Sequence, residues 1–171
     1  MTLSADIQQM SKMLANLESW LDDAVAFATE KEIEPDVLLD QRLSPDMFTL
    51  VRQVQAATDA IKFAAARLAD VEAPSFPDEE KTMAEVRERI AKAKAFVDGV
   101  DAAAIDAGGD RKLKLPFLPE DKRVRAADYF RGFAQPNFYF HLVTAYGILR
   151  HSGVRLGKRA YIGAFTLVDP D

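Results

Sequence analysis

The feature that most constrains the fold is a run of apolar residues at alternating three- and four-residue steps near the N-terminus: Ile7, Met10, Leu14, Leu17, Leu21, Ala24 and Ala28. That spacing draws one apolar stripe along a helix over residues 4–30, and such a helix is stable only when the stripe is buried. Ser4 is the expected cap, with Asp6 in the positive first turn. Pro35 closes the segment, and "EPDVLLDQRL" reads as a connector holding at most one helical turn.

Three more segments repeat the pattern. "SPDM" is a start signal, with Ser44 as N-cap, Pro45 at the first helical position and Asp46 beside it, so the second helix is expected from there. Its seam is Leu50, Gln53, Ala57, Ile61, Ala64 and Leu68, which places a glutamine inside an apolar stripe. "EAPSFPDEEK" is a loop, and Thr82 with Glu85 three residues on forms a capping box for a third helix with the stripe Met83, Val86, Ile90, Ala93, Val97 and Val100. The helix fades at "DAAAIDAGGD".

From Arg111 the period changes to two. Leu113, Leu115 and Phe117 alternate with Lys112, Lys114 and Pro116, which predicts a strand, with "LPEDK" as turn and "RVRA" as return. A helical pattern resumes at Ala126, is interrupted at Pro136 and runs to the stop at Gly153. The glycine-punctuated tail is expected to wrap over the helices, anchored by Tyr161, Ile162 and Phe165.

Four long amphipathic helices, with a short β-hairpin between the third and fourth, predict a mainly α protein: a four-helix bundle in one domain over residues 1–171. A net charge of −5 argues against a nucleic-acid partner. The absence of cysteine removes disulfides, thiolate metal sites and a cysteine nucleophile. No stretch has the length of apolar residues needed to span a bilayer, and the N-terminus has no signal-peptide pattern, so a cytoplasmic location is expected.

In a bundle, functional groups project from the stripes into the core, which singles out polar residues on them. Asn137 and His141 lie four apart on the last helix, Thr144 follows on nearly the same face, and Gln53 faces them from the second helix. The plainest reading is a hydrogen-bonded cluster that sets helix register; the sharper one is a small-molecule pocket including Tyr146. His151, in the last turn, reads as a helix-end cation. The basic run "GVRLGKR" lacks the phosphate-loop pattern, and Ser44, Ser75 and Ser152 have no triad spacing. The dense aromatics around Pro136 read as packing or as lining for an apolar ligand. Trp20, with Met13 and Phe27, makes a second stripe on the first helix, which predicts a homodimer through that face.

The runs "PNFYFHLVTAYGILRHSGVRLGKRAYIG" and "LLDQRLSPDMFTLVRQVQ" resemble the bacterial domain-of-unknown-function family 1993, a branch of the DinB-like superfamily of metalloenzyme-related proteins, over nearly the whole chain. The resemblance implies a DinB-like four-helix bundle, commonly dimeric, in which a histidine on helix two and a His-x-x-x-His pair on helix four hold a divalent metal and some members transfer small thiols. Here His141 falls at the second histidine of the pair, Asn137 stands four residues earlier, and Gln53 matches the helix-two ligand. Two of three imidazoles are thus carboxamides, neutral donors that offset little of a dication's dehydration cost, and no metal cofactor is favoured. If one binds, its ligands are His141, Asn137 and Gln53. No catalytic residue is assigned. Three expectations stand: a metal-free small-ligand-binding or structural homodimer, a metal-dependent transferase-like enzyme using His141 as ligand, and a metal-free acid–base enzyme pairing His141 with Tyr146.

Overall fold

Thr2, not Ser4, caps the first helix: its hydroxyl accepts from the Ala5 amide, and α1 runs over Leu3–Glu30. Ser4 instead ties its amide and hydroxyl to the Asp106 carboxylate, both at 2.8 Å. The computed structural model describes residues 2–165 and Leu167. After α1 come a 3₁₀ turn at Pro35–Asp40, α2 at Leu50–Ala69, α3 at Met83–Gly99 and the short α4 at Ala102–Ala107. Strands β1 (Lys112–Leu113) and β2 (Val124–Arg125) follow, then α5 (Ala126–Tyr129), a π-helical stretch at Phe130–Ala134, α6 (Gln135–His151) and α7 (Lys158–Ile162).

The long helices α1, α2, α3 and α6 form the bundle. The apolar positions of the α1 stripe, from Ile7 to Ala28, are all buried. Helix α3 has both halves of its capping box, with Thr82 accepting from the Glu85 amide and Glu85 from the Thr82 amide. Helix α2 packs against α6, α3 and α1, and buries most of its surface, including Gln53, Gln55, Thr58 and Lys62. Only a narrow face, Arg52, Ala56, Asp59, Phe63 and Arg67, reaches solvent, so the polar residues off that face must find partners inside.

Helix two starts later than expected. Thr49 is the N-cap, and Ser44, Pro45, Asp46 and Met47 form a turn closed by the Met47 amide on the Ser44 carbonyl. Serine followed by proline also suits the first two positions of a type I turn, and here the turn prevails. Pro136 does not interrupt the last helix. The Gln135 amide bonds the Phe130 carbonyl five residues back, and this wide turn relieves the clash a proline ring makes with the preceding turn. Helices α5 and α6 are therefore one continuous rod.

The hairpin is real but minimal, two antiparallel pairs with Lys112 opposite Arg125 and Leu113 opposite Val124. Leu113 and Leu115 are buried, whereas Phe117 lies beyond the strand and is exposed. Tyr161 anchors the C-terminal segment; Ile162 and Phe165 are exposed.

The second stripe of α1 does not serve a partner subunit. Trp20 and Met13 are buried within the chain: the Trp20 indole donates to the Ala160 carbonyl at 2.9 Å, stacks on Tyr161 and meets the edge of Tyr146. The expected dimer face on α1 is thus covered by the chain's own α7. Among the described residues, no helix is long and apolar enough to cross a membrane.

Candidate functional site around His141

Residues 41–49 cross from the 3₁₀ turn to α2 and pass over α6. A Cβ on Gly147 would stand 3.4 Å from Leu43 Cδ1, so loop and helix are in close approach there. This course brings Phe48 over the His141 ring, with centroids 6.2 Å apart and planes 11° from parallel. Phe140 meets the ring edge-on at 5.2 Å. His141 is 9% exposed between them.

The hydrogen bonds around this ring determine its protonation pattern. Gln53 Nε2–H donates to the Phe48 carbonyl at 3.2 Å, which directs Oε1 toward α6. Oε1 lies 2.7 Å from His141 Nδ1. An amide oxygen only accepts, so Nδ1 carries the hydrogen and Nε2 of the neutral ring carries a lone pair. Among the described residues Nε2 has no protein partner, nor is it among the sealed, unsatisfied atoms. The site therefore presents one oriented, solvent-accessible acceptor on a ring flanked by Phe48 and Phe140.

Burial holds the His141 pKa below the 6.5 of a free imidazole, because taking a cation out of water is unfavourable. Protonation thus favours the unfolded chain: the stability contribution of the neutral ring is complete above pH 6.5 and is lost as pH falls through the lower folded value. In urea titrations between about pH 7.5 and about pH 5.5, His141→Phe is expected to lose less stability than the wild type. Equal acid slopes would show that His141 titrates alike in both states.

Of the five expected site residues, two, Gln53 and His141, are hydrogen-bonded to each other. Asn137 shares the His141 face and is half-buried, but its amide bonds neither His141 nor Gln53. The Thr144 hydroxyl turns back to the Phe140 carbonyl at 2.7 Å, satisfying itself within the helix. Tyr146 lies on another face, against Trp20, with its hydroxyl on the Leu156 carbonyl at 3.3 Å. It is not placed to work with His141.

The fold relationship implied by the sequence raises a divalent metal, and the donors can be judged against it. Both functional ends of the Gln53 amide are used, by Phe48 and by His141. What remains is a single imidazole nitrogen, with Asn137 one turn away on the same helix face. No group of three His, Cys, Asp or Glu side chains suited to a metal occurs among the described residues. Neutral, mostly engaged donors do not fit a dication.

A second polar centre escaped the stripe reading. Arg89, 3% exposed on α3, donates from Nε to Thr58 at 2.8 Å and pairs with Glu80 at 3.0 Å and with Asp59 and Asp78 at 3.1 Å. Lys62, 2% exposed, bonds Asp59 at 2.7 Å and lies 4.4 Å above the rings of both Phe63 and Phe76. Gln55 reaches Glu80 at 2.7 Å. These contacts strap the loop before α3 onto α2, beside an open cavity of about 420 Å³ lined by Phe76, Glu80, Arg89 and Lys92 among others. The sequence signal was the α2 composition: it is alanine-rich around most of its circumference, and Gln55, Thr58 and Lys62 lie off the one face, Arg52 to Arg67, that reaches solvent.

Over residues 3–162 the chain matches the family described as "Domain of unknown function (DUF1993)". No curated protein matches it. Among solved structures it is similar to a DinB family member protein from Shewanella denitrificans, with a TM-score of 0.91 and 42% identity over 96% of this chain and 93% of that one. The family match spans nearly the whole chain and the structural match covers the whole bundle, and the chain belongs to the DUF1993 family, with a DinB-like fold.

Proposed function

We propose that this DinB-like chain is a single-domain, cytoplasmic, homodimeric protein that binds a small molecule at His141 without a divalent metal. The supporting observation is the relay from the Phe48 carbonyl through the Gln53 amide to His141 Nδ1, which leaves Nε2 as a fixed acceptor between two phenyl rings. A ligand suited to it carries one N–H or O–H donor and an apolar body: the donor meets Nε2, and the body displaces water from Phe48 and Phe140.

One observation favours a second reading. A histidine whose far nitrogen is held by an amide oxygen, leaving the other free, is also how metal-binding imidazoles are oriented. On that reading His141 Nε2 is one ligand of a transferase-like centre completed by Asn137 and water.

Elemental analysis of untagged protein, followed by zinc titration calorimetry, separates the two. The metal-free reading expects far less than one metal per chain and zinc binding no tighter than about 10 μM, since a single imidazole supplies little affinity. About one metal per chain, lost in His141→Ala, would establish the transferase-like reading instead.

A further inference from the structure

The β-hairpin carries a charge opposite to that of the chain. Between Arg111 and Arg125 stand six cations and two acids, a net +4, whereas the whole chain is −5, so the remainder is −9. Side chains alternate along a strand, and with Leu113 and Leu115 buried, Lys112 and Lys114 point outward. Lys112 lies directly opposite Arg125. Like charges so placed weaken a ribbon that has only two pairs, and the fold gains nothing from them. Asp128 neutralises Arg125 at 2.7 Å and Asp121 neutralises Lys122 at 3.1 Å, but among the described residues Lys112, Lys114 and Arg123 have no carboxylate partner. The tip itself is two consecutive turns, closed by the Leu118 amide on the Leu115 carbonyl and the Lys122 amide on the Pro119 carbonyl. Pro116, at the second position of the first turn, sets its backbone angle. These turns present Phe117, 59% exposed, against Phe133, 46% exposed, with the rings 5.1 Å apart. Arg123 folds onto the same tip, donating to the Glu120 and Lys122 carbonyls at 2.9 and 2.7 Å. Lys114 is three residues from Phe117, on the order of 10 Å along the backbone, so free cations and apolar rings lie within about one Debye length.

We propose that this hairpin tip docks on the anionic phospholipid surface of a bilayer, with Phe117 entering the interface while Lys112, Lys114 and Arg123 meet the headgroups. An exposed apolar wedge beside unpaired cations is the composition of an interfacial contact, which needs no spanning helix. Either signal alone binds weakly, and the two together give reversible attachment. Charge complementarity selects an anionic partner, and shape selects a bilayer among these. A tight hairpin end is convex, and a lipid plane yields around it. A folded acidic partner or a soluble polyanion gains little from two rings that already pack on each other. The −9 on the rest of the chain confines the contact to the hairpin, since an anionic surface reaching further would meet repulsion.

This surface is independent of the His141 site, and vesicle flotation tests it. Binding should require phosphatidylserine in phosphatidylcholine vesicles and should be lost at about 1 M salt, where charges are screened within about 3 Å. Lys112→Glu together with Lys114→Glu should weaken it at least about 100-fold, since each cation near such a surface is worth roughly fivefold. Phe117→Ala should weaken it about tenfold. All three positions are exposed, and thermal unfolding of each variant checks that the fold is kept. In Phe117→Trp the new indole should be quenched by brominated lipid, while Trp20, the wild type's one tryptophan and fully buried, should not. No binding to anionic vesicles, binding unchanged by the two glutamates, or an unquenched indole overturns the proposal. So does binding of soluble polyglutamate as tight as that of the vesicles, which would assign the surface to an acidic partner instead.

Discussion

Arg89→Met is expected to destabilise the fold by about 2–4 kcal/mol, because it removes a buried guanidinium on which three partly exposed carboxylates converge and leaves Glu80, the most enclosed of them, without its counter-charge. For a chain of this length each kcal/mol moves the midpoint by about 2–4 °C, so thermal unfolding should begin roughly 10 °C lower. Arg89 is 3% exposed and the side chain of its Glu80 partner 12%, so water from the adjoining cavity takes over only part of the lost contacts. Asp78 is 38% exposed, and its share is discounted for solvent screening. Restoring balance with Glu80→Gln in the same chain should recover part of the loss. A change below about 1 kcal/mol would mean that the cluster behaves as a surface network.

The second large effect is expected at Trp20. Trp20→Ala should cost about 3–5 kcal/mol, from lost burial and from the cavity left between α1, α6 and α7. Trp20→Phe keeps most of the burial but leaves the Ala160 carbonyl without its indole donor, and should cost about 1–2 kcal/mol. Helix α7 is only five residues long and has no buried residues, so its place depends on Trp20, on the Tyr161 stack and on the Asn16 amide donating to the Tyr161 carbonyl at 2.9 Å. Hydrogen exchange across Lys158–Ile162 should therefore accelerate in Trp20→Ala while the centre of α2 stays protected. Unchanged protection in α7 would show that other contacts hold it.

These two residues also mark where a one-dimensional pattern stops being informative. Periodicity located the stripes of α1 and α3, and capping chemistry located the start of α3, because those signals depend on neighbours within a turn or two. The start of α2 depended on something farther away: Ser44-Pro45 fits a helix start and a turn equally, and the crossing loop's path over α6, with the Leu50 amide on the Gln41 carbonyl, decides between them. Trp20 was legible as a packed residue, but its cover comes from Ala160 and Tyr161, far along the chain. Arg89 sits directly before stripe residue Ile90, and a charge at a stripe edge reads as solvated unless the loop that supplies its acids is known to fold back.

At the site, the polar residues inside apolar stripes were the informative ones. Gln53 and His141 stood out because each breaks a seam, and they are the two that meet. Asn137 has the right spacing from His141, but i and i+4 neighbours on a helix face need not bond, and these do not. Tyr146 was included by proximity in sequence; five residues on from His141, it turns to α1. The Phe48 carbonyl, which fixes the Gln53 amide, had no sequence signal because it is backbone in an irregular loop.

The central claim is that the Gln53 amide fixes His141 as a neutral ring with its hydrogen on Nδ1 and a free Nε2. Long-range ¹⁵N–¹H NMR of the imidazoles, in the wild type and in Gln53→Leu, tests it most directly, with only His141 and His151 to assign. At pH 6.5, the pKa of an unperturbed ring, His141 should be more than half neutral and give the Nδ1–H pattern in the wild type, and Gln53→Leu should abolish that preference. A wild-type ring that is half protonated at that pH, or a hydrogen found on Nε2, would contradict it.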